Sequence, residues 1–362
     1  MAETRSRTTA QGPDANTSRP ARPDAGGAAA TAGGSAGATQ KITIAKALNL
    51  GLRAAMERDP KVLLLGEDIG KLGGVFRITD GLQKDFGEQR VMDTPLAESG
   101  IIGTAIGLAI RGYRPVCEIQ FDGFIFPGFD QIVSQLAKLH FRTQGRVKVP
   151  VVIRVPFGGG IGAVEHHSES PESYFAHTAG LKVVACGNPV DAYWMIQQAI
   201  ASDDPILFFE PKRRYQEKAE LDTSATPGPL HASRVLQEGS DATVVCYGPM
   251  VRTCTDAVRV AAEDGHRLEL IDLRSLSPLD LAPVFESVRR TGRLIVVSEA
   301  PGESSIAAEI ASQVQQECFY SLEAPVLRVT GFDTPYPPAK LEEEFLPDLD
   351  RVLDAVERSL RW

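Results

Sequence analysis

Short, almost wholly apolar runs recur along this chain, each separated from the next by a stretch with helical spacing. The first set reads "VLLLGE" (62–67), "RVMDTP" (90–95), "RPVCEIQF" (114–121), "VPVVIRVP" (149–156), "LKVVACG" (181–187) and "PILFFEP" (205–211). A strand that is apolar on both faces has to be covered on both, which happens in mostly parallel sheets layered between helices. The intervening segments supply those helices. In "TIAKALNLGLRAAMERDP" (43–60), apolar residues recur at helical spacing, Thr43 predicts an N-cap and Pro60 a stop. "GFDQIVSQLAKLHFRTQ" (128–144) and "PVDAYWMIQQAIASDD" (189–204) read the same way. The stretch "EKAELDTSATPGPLH" (217–231) breaks the pattern and reads as a linker. A second, smaller set follows: "ATVVCYG", "RLELIDLRSL", "RLIVVSEA" and "VLRVTG". The expectation is an α/β fold built as two α/β domains.

Size agrees, because 362 residues exceed the roughly 250–300 at which a single core stops growing. A formal net charge of -9 argues against nucleic acid as the main partner, since phosphate binding needs basic surface. Cys117, Cys186, Cys246, Cys254 and Cys318 are scattered and form no CxxC, and the first three fall in apolar strand-like runs. That usage suits a reducing cytoplasm. The longest strongly apolar stretch, "IIGTAIGLAI", is far shorter than the ~20 residues of a membrane helix, so no membrane association is expected. Residues 1–40 are rich in Ala, Gly, Thr and Pro, with no large apolar side chain after Met1, and predict a disordered tail.

Two stretches carry residues suited to chemistry. "AVEHHSESPE" (163–172) places His166 and His167 side by side after the glycine run "FGGGIGA". Zinc would want its ligands spaced as in HExxH; Glu165, His166 and His167 are consecutive and their side chains should diverge, so no metal is expected. A solvated polar turn and an acid–base loop both remain. In "VMDTPLAESG" (91–100), Glu98 opens a helix behind Pro95 and Leu96. It reads either as a first-turn carboxylate facing the helix dipole or as a buried, protonatable carboxyl. Gly100, Gly103 and Gly107 then fall on one helical face, which predicts another backbone lying close, within the chain or across a subunit contact. No glycine stretch ends as a P-loop or has a GxGxxG between strand and helix.

Taken together, "VMDTPLAESGIIGTAIGLAIRGYRPVCEIQF", "FPGFDQIV", "HHSESPESYFAHTAGLKVV", "LFFEPKRRY" and "VTGFDTPYPP" resemble the β subunit of the decarboxylating first component of 2-oxo acid dehydrogenase complexes. The likeness runs in order from about Lys41 to the C-terminus and is nearest to the branched-chain members, with the pyruvate type close behind. It implies a thiamine-diphosphate-enzyme pyrimidine-binding α/β domain over 41–220, a linker over 221–231 and a transketolase C-terminal-type domain over 232–362. It also implies oxidative decarboxylation of a 2-oxo acid on thiamine diphosphate and transfer of the acyl group to the lipoyl group of an acyltransferase component. Glu98 would hydrogen-bond the aminopyrimidine ring of the cofactor, beside Leu96, and promote loss of the thiazolium proton. Phe124 matches an aromatic position that packs on that ring; it equally fits a core phenylalanine. His167 matches the histidine preceding the serine of the family's "HSQS", and His177 a second histidine of structural character. Glu169 stands where relatives have Gln and adds a charge beside His167. Relatives bind the magnesium of the cofactor through Gly-Asp-Gly, which this sequence lacks, so an α subunit is expected to hold magnesium and the diphosphate, in an α2β2 heterotetramer. A potassium site of relatives is put in doubt by Ser202 and Asp204, which replace Asp and Asn. A non-catalytic scaffold subunit is the alternative of a different class.

Overall fold

The computed structural model describes residues 39–362, so the expected tail lies almost wholly outside the described residues. The first strands are β1 (Gln40–Thr43), β2 (Val62–Gly66), β3 (Val91–Asp93), β4 (Arg114–Glu118), β5 (Val152–Phe157), β6 (Lys182–Ala185), β7 (Ile206–Pro211) and β8 (Lys218–Leu221). They are followed by β9 (Arg234–Gln237), β10 (Ala242–Cys246), β11 (Leu268–Asp272), β12 (Ser275–Ser277), β13 (Leu294–Pro301) and β14 (Leu327–Gly331). β1 pairs antiparallel with β8, so Gln40 and Leu221, expected at the edges of tail and linker, both belong to a strand.

The apolar runs form two sheets. The larger has the order β12-β6-β7-β5-β4-β2-β3 and is parallel except at β12; the smaller runs β14-β13-β10-β11-β9 and is parallel except at β9. Every residue of β2, β5 and β7 is buried, as continuous apolar strands require. The run "RLELIDLRSL" does not make one strand. Its first half is β11 in the smaller sheet, while β12 crosses to pair with β6 in the larger, where Leu276 joins the core.

Helix Ile44–Arg58 starts where Thr43 caps it, accepting the Lys46 N–H at 3.1 Å, and stops before Pro60. It packs on helix Pro189–Ala201, capped by Asn188. The closest approach is at Gly51, where a Cβ would lie 2.8 Å from the Tyr193 carbonyl oxygen. The glycine stripe of helix Glu98–Ile110 behaves otherwise. A Cβ at Gly107 would meet nothing within 4 Å, and at Gly103 only the Gln131 side chain at 3.9 Å. No backbone of this chain covers that face among the described residues. The segment 128–144 is helical but begins as a π-type turn (Gln131–Leu136) before the helix Ala137–Arg142.

Candidate active site

Strand β2 lies beside β3, with Gly66 opposite Asp93, so the chain leaves both strands at the same carboxyl edge. Ligands of open parallel sheets bind at that edge. Here Glu67 follows β2 directly and Glu98 opens the helix after β3; both are 8% exposed. Burial first, then the charges of Glu98 and Asp68, push the Glu67 carboxyl above its ordinary range. Its Oε1 is buried without a partner. Leu96, two residues before Glu98, is 81% exposed.

The turn Asp122–Gly128, which follows β4, backs onto Glu98: a Cβ at Gly128 would lie 3.5 Å from the Glu98 carbonyl oxygen. On its other side sits the histidine loop. Gly123 has to be glycine, because any Cβ there would lie 2.4 Å from the His166 carbonyl oxygen. Phe124 is half-buried and meets the His167 ring edge-on at 5.1 Å between centroids; Phe121 lies 4.1 Å away. One turn therefore touches the Glu98 backbone at Gly128 and the histidine loop at Gly123 and Phe124.

His167 is half-buried with its Nδ1 lacking a partner, while His166 faces solvent, 3.6 Å from Glu165. The rings do not diverge as the sequence predicts. A single 3-10 turn (Glu165–His167) brings them to 4.4 Å, edge to face. Among the described residues no group of three or more His, Cys, Asp or Glu is arranged to hold a metal. Burial, followed by the neighbouring His166, holds the His167 pKa below the ordinary value; Asp122 opposes this and Lys212 adds to it. Glu169 is not among those groups. Burial, Asp122 and Glu165 push its own carboxyl upward, towards the neutral form. His177 lies apart, exposed at the end of helix Glu172–Ala176.

The glycine run that precedes the histidines is clasped by residues from the second half of the chain. Glu342 accepts the N–H groups of Gly160 and Gly162 at 2.7 and 2.9 Å, and Tyr336 donates to Glu342 at 2.6 Å. Glu299 accepts the Gly159 N–H at 3.2 Å. A Cβ at Gly159 would fall 1.9 Å from the Tyr336 hydroxyl, so the glycines are there to let this clasp close.

The family models that match are "Transketolase, pyrimidine binding domain" over residues 40–218 and "Transketolase, C-terminal domain" over 231–352. The chain is 64% identical over 323 residues to "Pyruvate dehydrogenase E1 component subunit beta" of Leifsonia xyli, covering 89% of this chain and 96% of that protein. The chain belongs to the 2-oxo acid dehydrogenase E1 β-subunit family. It is also 53% identical over 344 residues to "3-methyl-2-oxobutanoate dehydrogenase subunit beta" of Mycobacterium tuberculosis, covering 95% and 98%. A third relative, "2-oxoisovalerate dehydrogenase subunit beta, mitochondrial" of Dictyostelium discoideum, is 43% identical, covering 90% and 88%. Among solved structures, "Split gene transketolase, inactive beta4 tetramer" shares the fold with a TM-score of 0.74 at 21% identity, covering 88% of this chain and 98% of that one.

Membership in this E1 family implies thiamine diphosphate dependence, and the residues present fit the pyrimidine half of that cofactor. Glu98, largely buried, supplies a carboxylate, Phe124 an aromatic face, and Leu96, two residues before Glu98, an exposed apolar side chain. Glu67, Asp122 and the Glu342 clasp escape sequence reading. "LGED" looks like the end of a strand, and "FDGF" draws notice only as a fragment of a magnesium motif. Near Ser202 and Asp204, Arg114 donates to the carbonyls of Ile200 and Ser202 at 3.0 and 2.8 Å.

Proposed function

We propose that this chain is the β subunit of a branched-chain 2-oxo acid dehydrogenase, active with an α subunit in an α2β2 heterotetramer. That partner would hold the magnesium and the diphosphate of thiamine diphosphate, and a lipoyl acyltransferase component would receive the acyl group. The observation that carries the reading is the turn Asp122–Gly128, which packs on the Glu98 backbone at Gly128 and carries Phe124 edge-on to the His167 imidazole. When bound, thiamine diphosphate supplies the carbanion chemistry that decarboxylation needs. Glu98 hydrogen-bonds the pyrimidine ring and exchanges a proton with it. Phe124 orients that ring. His167 delivers a proton to the sulfur that departs when the lipoyl disulfide opens. The exposed Leu96 and the open glycine face of helix Glu98–Ile110 supply apolar surface for the partner subunit.

The branched-chain assignment rests on the sequences "EIQFDGFIFPGFDQI" and "GFDTPYPP". Pyruvate is the second reading, favoured by the 64% identical relative. Steady-state rates with the native α subunit separate them. One methylene is worth about 1–3 kcal/mol, so kcat/KM for 2-oxoisovalerate should exceed that for pyruvate by roughly tenfold or more. A preference for pyruvate establishes the second reading. No turnover of either acid by the assembled pair would make the chain a scaffold.

A further inference from the structure

Asp122 is wholly buried, and its carboxylate joins three separate segments. One oxygen is paired with the ammonium of Lys212, which follows β7 and has no exposed side-chain surface. The other accepts the Glu169 backbone N–H at 2.6 Å. Asp122 itself opens the turn that carries Phe124. The Glu169 carbonyl accepts the Gly158 N–H at 2.9 Å, so both backbone polar groups of Glu169 are held and the loop 158–169 is closed at its base. His167, two residues earlier, has no comparable anchor: its Nδ1 lacks a partner and its ring packs on Phe121 and Phe124. A buried ion pair contributes no more to stability than apolar side chains of the same volume. What the pair provides here is an acceptor oxygen held in place by Lys212, tying the base of the histidine loop to the start of the Phe124 turn.

We propose that Asp122, charge-balanced by Lys212, is a positioning residue that sets His167 against Phe124 for acyl transfer. This rests on the acyl-transfer role given to His167 above. The test uses the assembled α and β subunits with two double variants. Asp122→Leu with Lys212→Met deletes the acceptor without stranding a charge; Asp122→Asn with Lys212→Met deletes both charges but keeps an acceptor oxygen. Each is assayed for acylation of a lipoyl domain and for decarboxylation with an artificial electron acceptor, beside His167→Ala.

Misplacement of a reacting group by about 1 Å costs up to roughly 100-fold, so the Leu/Met enzyme should lose acylation about 10- to 100-fold while decarboxylation stays within about threefold. The Asn/Met enzyme should remain within about threefold of the unaltered enzyme in both. Equal losses in the two assays, or equal acylation by the two double variants, overturns the proposal. If His167→Ala lowers both activities alike, the failure belongs to the acyl-transfer role instead. The unaltered assembly gives a check that needs no variant. The Glu169 amide should exchange with solvent at least about 10³-fold more slowly than an open loop amide, and exchange at the open rate overturns the proposal.

Discussion

Replacing Glu172 by Gln should flatten part of the pH dependence of stability. Glu172 is wholly buried where the histidine loop ends; Tyr247 donates to its Oε1 at 2.6 Å, and Oε2 has no partner. Burial pushes its pKa from 4.5 up to about 7. The direction fixes the sign. The folded chain prefers the neutral carboxyl and binds more protons than the unfolded one, so the associated stability is complete below the unfolded pKa and lost as pH rises through about 7. At ~1.36 kcal/mol per pH unit the full effect is about 3 kcal/mol, of which about 2 falls between roughly pH 5.5 and 8.5. Glutamine keeps an oxygen for Tyr247 and does not ionise. Urea denaturation of both proteins at the two pH values reads the difference. Other groups cancel in that comparison, including Asp272, which burial also pushes to about 7. The variant should gain about 2 kcal/mol on the unaltered chain from the lower to the higher pH. Parallel pH curves would refute the reasoning.

Glu98→Gln in the assembled enzyme should slow hydrogen–deuterium exchange at the thiazolium carbon of added thiamine diphosphate by about 10²–10⁴-fold, the usual span of general acid–base catalysis. An unchanged exchange rate removes Glu98 from the mechanism. His167→Ala should damage lipoyl acylation far more than decarboxylation with an artificial acceptor, while His166→Ala, at an exposed ring, changes both little; a selective loss at His166 instead would reverse the two roles. Arg154 is buried and bonded to Glu210 at 2.7 and 2.9 Å and to Glu118 at 2.6 Å. Arg154→Met strands two carboxylates and should cost about 3–5 kcal/mol in denaturant unfolding, and a loss under about 1 kcal/mol would contradict the pairing.

Much of the architecture is legible because its signals are local. An apolar run marks a strand buried on both faces, Thr43 before an amphipathic stretch marks a helix start, and Pro60 marks its end. Glu98, Phe124 and His167 stand in short motifs whose resemblance names them before any contact is known. Glycine spacing is less informative by itself. It points to Gly100, Gly103 and Gly107, whereas the close helix contact inside the chain is at Gly51, which no stripe announces. A missing side chain shows that something needs room, but the neighbour that takes the room comes from elsewhere in the chain.

The sequence by itself determined the fold class and the family, since periodicity and motif are properties of adjacent residues. Tertiary structure alone decided how the candidate site's side chains are held. Asp122 meets Lys212 across 90 positions, and Glu342 reaches Gly160 across 182. A lone Asp, Lys or Glu in a sequence reads as solvated surface, because burying an unpaired charge costs more than a folded chain tolerates. Only when distant segments close on one another does each acquire the partner that lets it be buried, and with burial comes the fixed geometry around His167.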